Sequence, residues 1–231
     1  MTSASKYLID HGFDRPPGSI DHALRASLCV ALDRTGDTAG RRNLLDTFPE
    51  TRALLADPLV GKLIHDALGP DAFVVRATLF DKRPDANWAV TWHQDQAIAV
   101  TERHDVPGFG PWSVKHGVVH VEPPAAVLAG MVAVRIHLDP CPEDNGALVA
   151  LPGSHRVGRV DVETFRRQHP EVEETLLPVH AGGVLLMKPL TLHRSSKCAA
   201  GGRRRVIHFD CANAELPGGL TWAVRHPFGP R

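Results

Sequence analysis

Three His-x-Asp tripeptides stand out in this chain of 231 residues: His93-Gln94-Asp95, His137-Leu138-Asp139 and His208-Phe209-Asp210. Alternate residues of an extended strand share a face, so each tripeptide could offer an imidazole and a carboxylate to one ion. A second imidazole from elsewhere would complete one face of an octahedral site. The opposite face would stay open for a cosubstrate and dioxygen, which is the arrangement of non-haem iron oxygenases. With fourteen histidines in the chain, about one such tripeptide is expected by chance, so position must select among the three.

Position favours the first. His93-Gln94-Asp95 closes a β-like run behind Trp92, and about a hundred residues later His193 follows Gly182-Gly183 at the end of another such run. That separation leaves room for intervening strands, so the two segments can meet at one barrel mouth. His137-x-Asp139 abuts the Asn145-Gly146 turn, and His208-x-Asp210 lies beyond every other candidate ligand; both read as solvated or hydrogen-bonded structural groups. The second chemical element is Arg203-Arg204-Arg205, which opens the run Val206-Ile207-His208-Phe209. A guanidinium can grip the far carboxylate of a dianionic cosubstrate through two parallel hydrogen bonds. Strand alternation turns inward either Arg204 or the pair Arg203 and Arg205.

These residues need a scaffold, and the hydrophobic pattern divides into two regimes. From about Ser19 to Leu68 apolar residues recur at helical spacing, with Ser19 expected as an N-cap and a further helix expected from Pro58 to Leu68, stopped by Gly69. From Asp71 onward the pattern changes to short β-like runs: Ala72–Phe80, Ala89–Trp92, Met131–Leu138, Ala147–Leu151, Gly183–Met187, Thr191–His193 and Arg204–Cys211. Asn145-Gly146, between two apolar runs, predicts a β-hairpin. Many short strands without a βαβ rhythm predict an antiparallel sandwich or jelly roll. Residues 1–231 are expected to form one domain, with a helical part over about 1–70 and the jelly-roll core over about 71–215. The segment from Thr101 to Pro124 shows little periodicity and reads as a long loop, an active-site lid or a surface excursion.

Composition narrows the function. Twenty-six basic residues balance twenty-six acidic ones, so no global field draws the chain to nucleic acid or an anionic membrane. The longest apolar run is too short to span a bilayer and Met1 to Asp10 lacks a secretory core, so a cytoplasmic location is expected. The four cysteines show neither a CxxC pair nor zinc-like spacing and are expected to be reduced and inert.

The ordered set Trp92-His93-Gln94-Asp95-Gln96, Glu143-Asp144-Asn145-Gly146-Ala147-Leu148, Leu151-Pro152-Gly153-Ser154-His155-Arg156, His193 and an arginine eleven residues later resembles the phytanoyl-CoA dioxygenase family. The likeness runs from about Phe73 to Ala212. It implies a mainly β fold, a double-stranded β-helix (jelly roll, cupin-like) with N-terminal and flanking helices. It also implies iron(II), 2-oxoglutarate as cosubstrate, and dioxygen. By motif match His93, Asp95 and His193 fall on the family's iron ligands, and Arg204 on its 2-oxoglutarate arginine. Ser195 and Thr78 match positions that contact the cosubstrate. Arg135 matches a cavity-lining position suited to a substrate carboxylate or phosphate, and Trp112 in the long loop is expected to contact substrate. His155, in a strand-end turn, reads as structural. The implied activity is hydroxylation of a small molecule with release of succinate and carbon dioxide. Asp95 stands where halogenating relatives carry a small residue. The rival expectation is a metal-binding cupin-like isomerase or small-molecule sensor, which would have no need of Arg204.

Overall fold

A computed structural model describes residues 3–34, 39–198 and 202–228, with side chains from Lys6 onward; residues 199–201 of the expected core lie outside this set. The N-terminal part holds α1 (Ser3–His11), β1 (Phe13–Asp14), α2 (His22–Arg34), β2 (Gly40–Arg42), α3 (Leu44–Thr47) and α4 (Pro58–Leu68), with a 3-10 helix at Pro49–Ala56 before α4. The strands that follow are β3 (Phe73–Lys82), β4 (Val90–His93), β5 (Ile98–Val100), β6 (Trp112–Lys115), β7 (Val118–Val121), β8 (Val132–His137) and β9 (Leu148–Ala150). After these come β10 (Thr175–Leu177), β11 (Val184–Met187), β12 (His193–Ser195), β13 (Arg204–Ala212) and β14 (His226–Pro227). Two short helices, α5 (Ala125–Ala129) and α6 (Val162–Gln168), flank the sheets.

The large antiparallel sheet has the order β1-β11-β8-β13-β3-β14, with β2 also paired to β3. A smaller sheet, β10-β9-β12-β4, faces it, and β5-β7-β6 forms a third. Strand alternation gives the large sheet two faces. Ala77 and Leu79 of β3, Val134 and Ile136 of β8, and Ile207 and Phe209 of β13 pack against Leu28, Leu32, Val60, Leu63 and Ile64 of the helices. On the opposite face Phe13, Ala133, Leu185 and Met187 meet Leu148, Ala150 and Leu177 of the small sheet. The rest of that space is the cavity described below.

The structure differs from sequence expectation at three places. The cap of α2 is Asp21, whose carboxylate accepts the Leu24 amide at 2.8 Å, two residues beyond Ser19. Asn145-Gly146 joins no hairpin, because β8 lies in the large sheet and β9 in the small one. The turn is a corner between sheets, with Gly146 at φ 71°, and the same dipeptide chemistry serves either geometry. Within 101–124, β6 and β7 form a hairpin whose tip carries His116 at φ 51° and Gly117 at φ 77°; pairing against β5 supplies order that periodicity does not show.

Candidate metal centre

β4 and β12 are neighbours in the small sheet, with His193 directly opposite His93. Two histidines a hundred residues apart in the chain thus become a cross-strand pair, ring centroids 4.1 Å apart. Asp95 lies just past the end of β4, where its amide donates to the Pro189 carbonyl at 2.9 Å. Its carboxylate is 3.7 Å from Nε2 of His93 and 3.9 Å from Nε2 of His193. Among the described residues this is the one group of three histidine, cysteine or acidic side chains whose ligand atoms converge, all within 4.8 Å.

Both imidazoles present Nε2. A carbonyl oxygen can only accept, so Nδ1 of His93 donates to Thr91 at 2.8 Å and Nδ1 of His193 to Thr191 at 2.9 Å. That bond selects the tautomer whose Nε2 lone pair is free for a metal. Burial pushes the His193 imidazole down to about 4 against the pull of Asp95, so the ring is neutral in neutral solution. Burial also opposes charge on Asp95, but His193, His208 and Arg76 outweigh it and hold its carboxyl below the usual carboxylate range. Two imidazoles and one carboxylate are the donor set of a facial iron site.

The middle residue of the tripeptide points away from this cluster. Gln94 is buried; its amide nitrogen donates to the carbonyls of Gly158 (2.8 Å) and Leu190 (2.7 Å), and its oxygen accepts from the Val160 amide and Gln96. Gln94 therefore pins the backbone that carries His93 and Asp95. Ser154 acts similarly for β12: its hydroxyl accepts the Leu192 amide at 2.8 Å and donates to Leu151.

The cluster opens into a cavity of about 330 Å³ between the two main sheets. Arg76, Thr78, Phe80 and Lys82 line it from alternate positions of β3. Arg204 lines it from β13, while Arg203 and Arg205 point the other way, Arg203 to Asp81 and Asp33 and Arg205 to Asp139 and Asp33. Arg135, His208 and Ser195 complete the relevant wall.

A sequence profile described as "Phytanoyl-CoA dioxygenase (PhyH)" matches residues 12–206. The chain belongs to the phytanoyl-CoA dioxygenase family. It thereby joins a family of iron(II)- and 2-oxoglutarate-dependent oxygenases. Similar solved structures include the non-heme alpha ketoglutarate dependent carbocyclase SnoK from nogalamycin biosynthesis, with a TM-score of 0.70 and 16% identity over 96% of this chain and 86% of that one. AviO1 from Streptomyces viridochromogenes Tue57 gives a TM-score of 0.65 and 21% identity over 99% of this chain and 97% of that one. The epimerase SnoN, solved with Fe3+, alpha ketoglutarate and nogalamycin RO, gives 0.65 and 14% over 99% and 94%. No curated protein matches the sequence. These likenesses establish the PhyH fold, built here from antiparallel sheets without a closed barrel. No helix among the described residues is long and apolar enough to cross a membrane.

Of the residues expected at a site, His93, Asp95, His193, Arg204, Ser195, Thr78 and Arg135 all line this PhyH-fold cavity. Trp112 does not: it packs with the Ile98–Trp222 cluster, and the guanidinium of Arg103 lies over its ring. From its hairpin Lys115 reaches the cavity mouth instead. His208-x-Asp210 is hydrogen-bonded as expected, yet its histidine borders the cavity rather than standing apart from it. His155 bonds to the Ile9 carbonyl, away from the cavity. Sequence reasoning passed over Lys82, Arg76 and Gln94. Only the alternation along β3, once its register against β13 is known, marks Arg76 and Lys82 as cavity residues.

Proposed function

We propose that this chain is an iron(II)- and 2-oxoglutarate-dependent dioxygenase that hydroxylates an unactivated C–H bond of a small molecule, releasing succinate and carbon dioxide. One observation carries the reading: the His93, Asp95 and His193 cluster opens into the same cavity as the buried guanidinium of Arg204. His93, Asp95 and His193 would hold iron, which with dioxygen and 2-oxoglutarate supplies the oxidant for C–H cleavage. Arg204 is 2% exposed; its Nη1 donates to the Gly146 carbonyl and its Nε has no partner among the described residues. A buried cation left with donors to spare fits the cosubstrate's far carboxylate.

Lys82, directly opposite Arg204 in register, adds a second positive charge. Its Nζ donates to Ser195 Oγ at 3.0 Å and the Ser196 carbonyl at 2.7 Å, and it has no carboxylate partner among the described residues. Lys82, Ser195 and Arg204 thus form one anion cradle, with Thr78 on the same wall. Phe80, Trp88 and Leu148 give the cavity its apolar lining and keep water from the reacting centre. Asp95 supports hydroxylation over halogenation, because its carboxylate takes the coordination position a halide would need.

The test is anaerobic loading with iron(II) and 2-oxoglutarate, followed by oxygen and quantitation of succinate. Release of succinate coupled to oxygen consumption is the expected result. Metal binding without cosubstrate binding or succinate would favour the cupin-like alternative. A subtler consequence concerns Gln94→Ala, which removes the bonds that pin the ligand-bearing segment. Iron affinity should fall by about tenfold to a hundredfold, read by competition with a chromophoric chelator; an unaltered affinity would mean the segment holds its shape without Gln94.

A further inference from the structure

Three cations in the cavity wall are almost completely buried and lack a carboxylate partner among the described residues: Lys82 at 1% exposure, Arg204 at 2% and Arg135 at 6%. Iron, Asp95 and the iron-chelating carboxylate of 2-oxoglutarate would cancel in charge, leaving one far carboxylate for the cradle of Arg204 and Lys82. Arg135 is then left over. Its Nη1 donates to Nδ1 of His208 at 2.9 Å; that ring's Nε2 donates to Asp210 at 3.1 Å, and Asp210 is paired with Arg76. This chain of bonds orients Arg135 without neutralising it, since Arg76 consumes the charge of Asp210. The guanidinium rests on the Phe80 ring at 5.6 Å, its Nε is buried without a partner among the described residues, and it lines the cavity shared with Asp95 and His193. At the mouth stand two exposed cations without ion pairs among the described residues, Arg42 and Lys115. Cations line the whole path inward.

We propose that the prime substrate carries an oxyanion, a carboxylate or phosphate, which enters past Arg42 and Lys115 and is held by Arg135. Burying a guanidinium without a counter-ion is costly, and the cost is recovered when an anion arrives. A bidentate grip on that anion would set the distance between the acidic group and the C–H bond presented to the metal. The proposal rests on the cosubstrate assignment above, and the two are tested separately.

Calorimetry on the anaerobic iron-loaded protein first measures 2-oxoglutarate binding. Benzoate, phenyl phosphate and uncharged benzamide are then titrated into the ternary complex. At least one anion should bind about tenfold or more tightly than benzamide, and which one does so separates carboxylate from phosphate. Arg135→Gln should erase that preference and leave 2-oxoglutarate affinity unchanged, whereas Arg135→Lys should retain part of it. The exposed double substitution Arg42→Ser with Lys115→Ser should slow anion association without touching the folded core. Absence of 2-oxoglutarate binding would overturn the proposed function itself. With the cosubstrate bound, equal affinity for benzamide and both anions overturns this inference alone. So does a preference that survives Arg135→Gln, or an Arg135→Gln effect confined to 2-oxoglutarate.

Discussion

Replacing His193 or Asp95 with alanine is expected to abolish iron-dependent conversion of 2-oxoglutarate to succinate while leaving the sheets intact. Each substitution removes one of three donors that meet within 4.8 Å, and two donors do not define one face of an octahedral ion. Loss of a ligand should weaken iron binding beyond the tenfold to roughly hundredfold typical of outer-shell changes. Thermal unfolding offers a readout independent of turnover. An ion at a hundred times its dissociation constant stabilises the folded state by about 2.7 kcal/mol, which for a chain of this size raises the midpoint by roughly 5–11 °C. Iron should produce that shift in the native protein and none in either variant. The circular dichroism of the variants should keep its β signature, because His193 and Asp95 sit at strand ends rather than in the packed interior between helices and large sheet. Native-level succinate from either variant would dismantle the metal assignment.

Why this candidate cluster could be singled out before the fold was known is a physical matter. Metal ligation demands particular residue types, and a strand places His93 and Asp95 on one side whatever lies around them. The helix Pro58–Leu68 was equally legible. Its apolar positions Val60, Leu63, Ile64 and Leu68 fall on one face, and Asp57 accepts the amides of Leu59 and Val60 as its cap. Asn145-Gly146 was read as a hairpin because local chemistry specifies a turn and not the sheet its flanking strands will join. Trp112 misled for a similar reason: its loop was visible, but which face of β6 meets the Ile98–Trp222 cluster depends on pairing with β7. Lys82 was invisible for the opposite reason. A lysine at the end of an apolar strand ordinarily reaches water, and only the register against Arg204 and the closure of Ser195 over it make it a buried ammonium. The run Arg203-Arg204-Arg205 was undecided on alternation alone. It is resolved by the carboxylates of Asp33, Asp81 and Asp139, which hold its outer members on the far face.

That buried ammonium leads to the second large effect. Arg204→Ala should raise the dissociation constant of 2-oxoglutarate about a hundredfold or more, as expected for truncating one partner of a buried charged contact, while iron affinity is preserved. Arg204→Lys should recover part of the loss, because a point charge replaces a fork. Lys82 then makes the same affinity depend on pH. Burial first, and then the facing charge of Arg204, push its ammonium down to about 8. The sign follows from which form binds an anion: below about 8 the site already carries the proton, and above it the cosubstrate must bring one in. Affinity should therefore fall as pH rises through 8, by up to about tenfold per unit. The groups facing Lys82 do not mimic this slope. Arg204 lies beside it, Arg135 titrates near 10, and burial raises the Cys141 and Cys198 thiols above their ordinary range. Lys82→Met should give weaker binding with a flat profile over the same interval, measured by anaerobic calorimetry between pH 7 and 9. A flat profile in the native protein would take Lys82 out of the cradle and leave the far carboxylate to Arg204 and Ser195 alone.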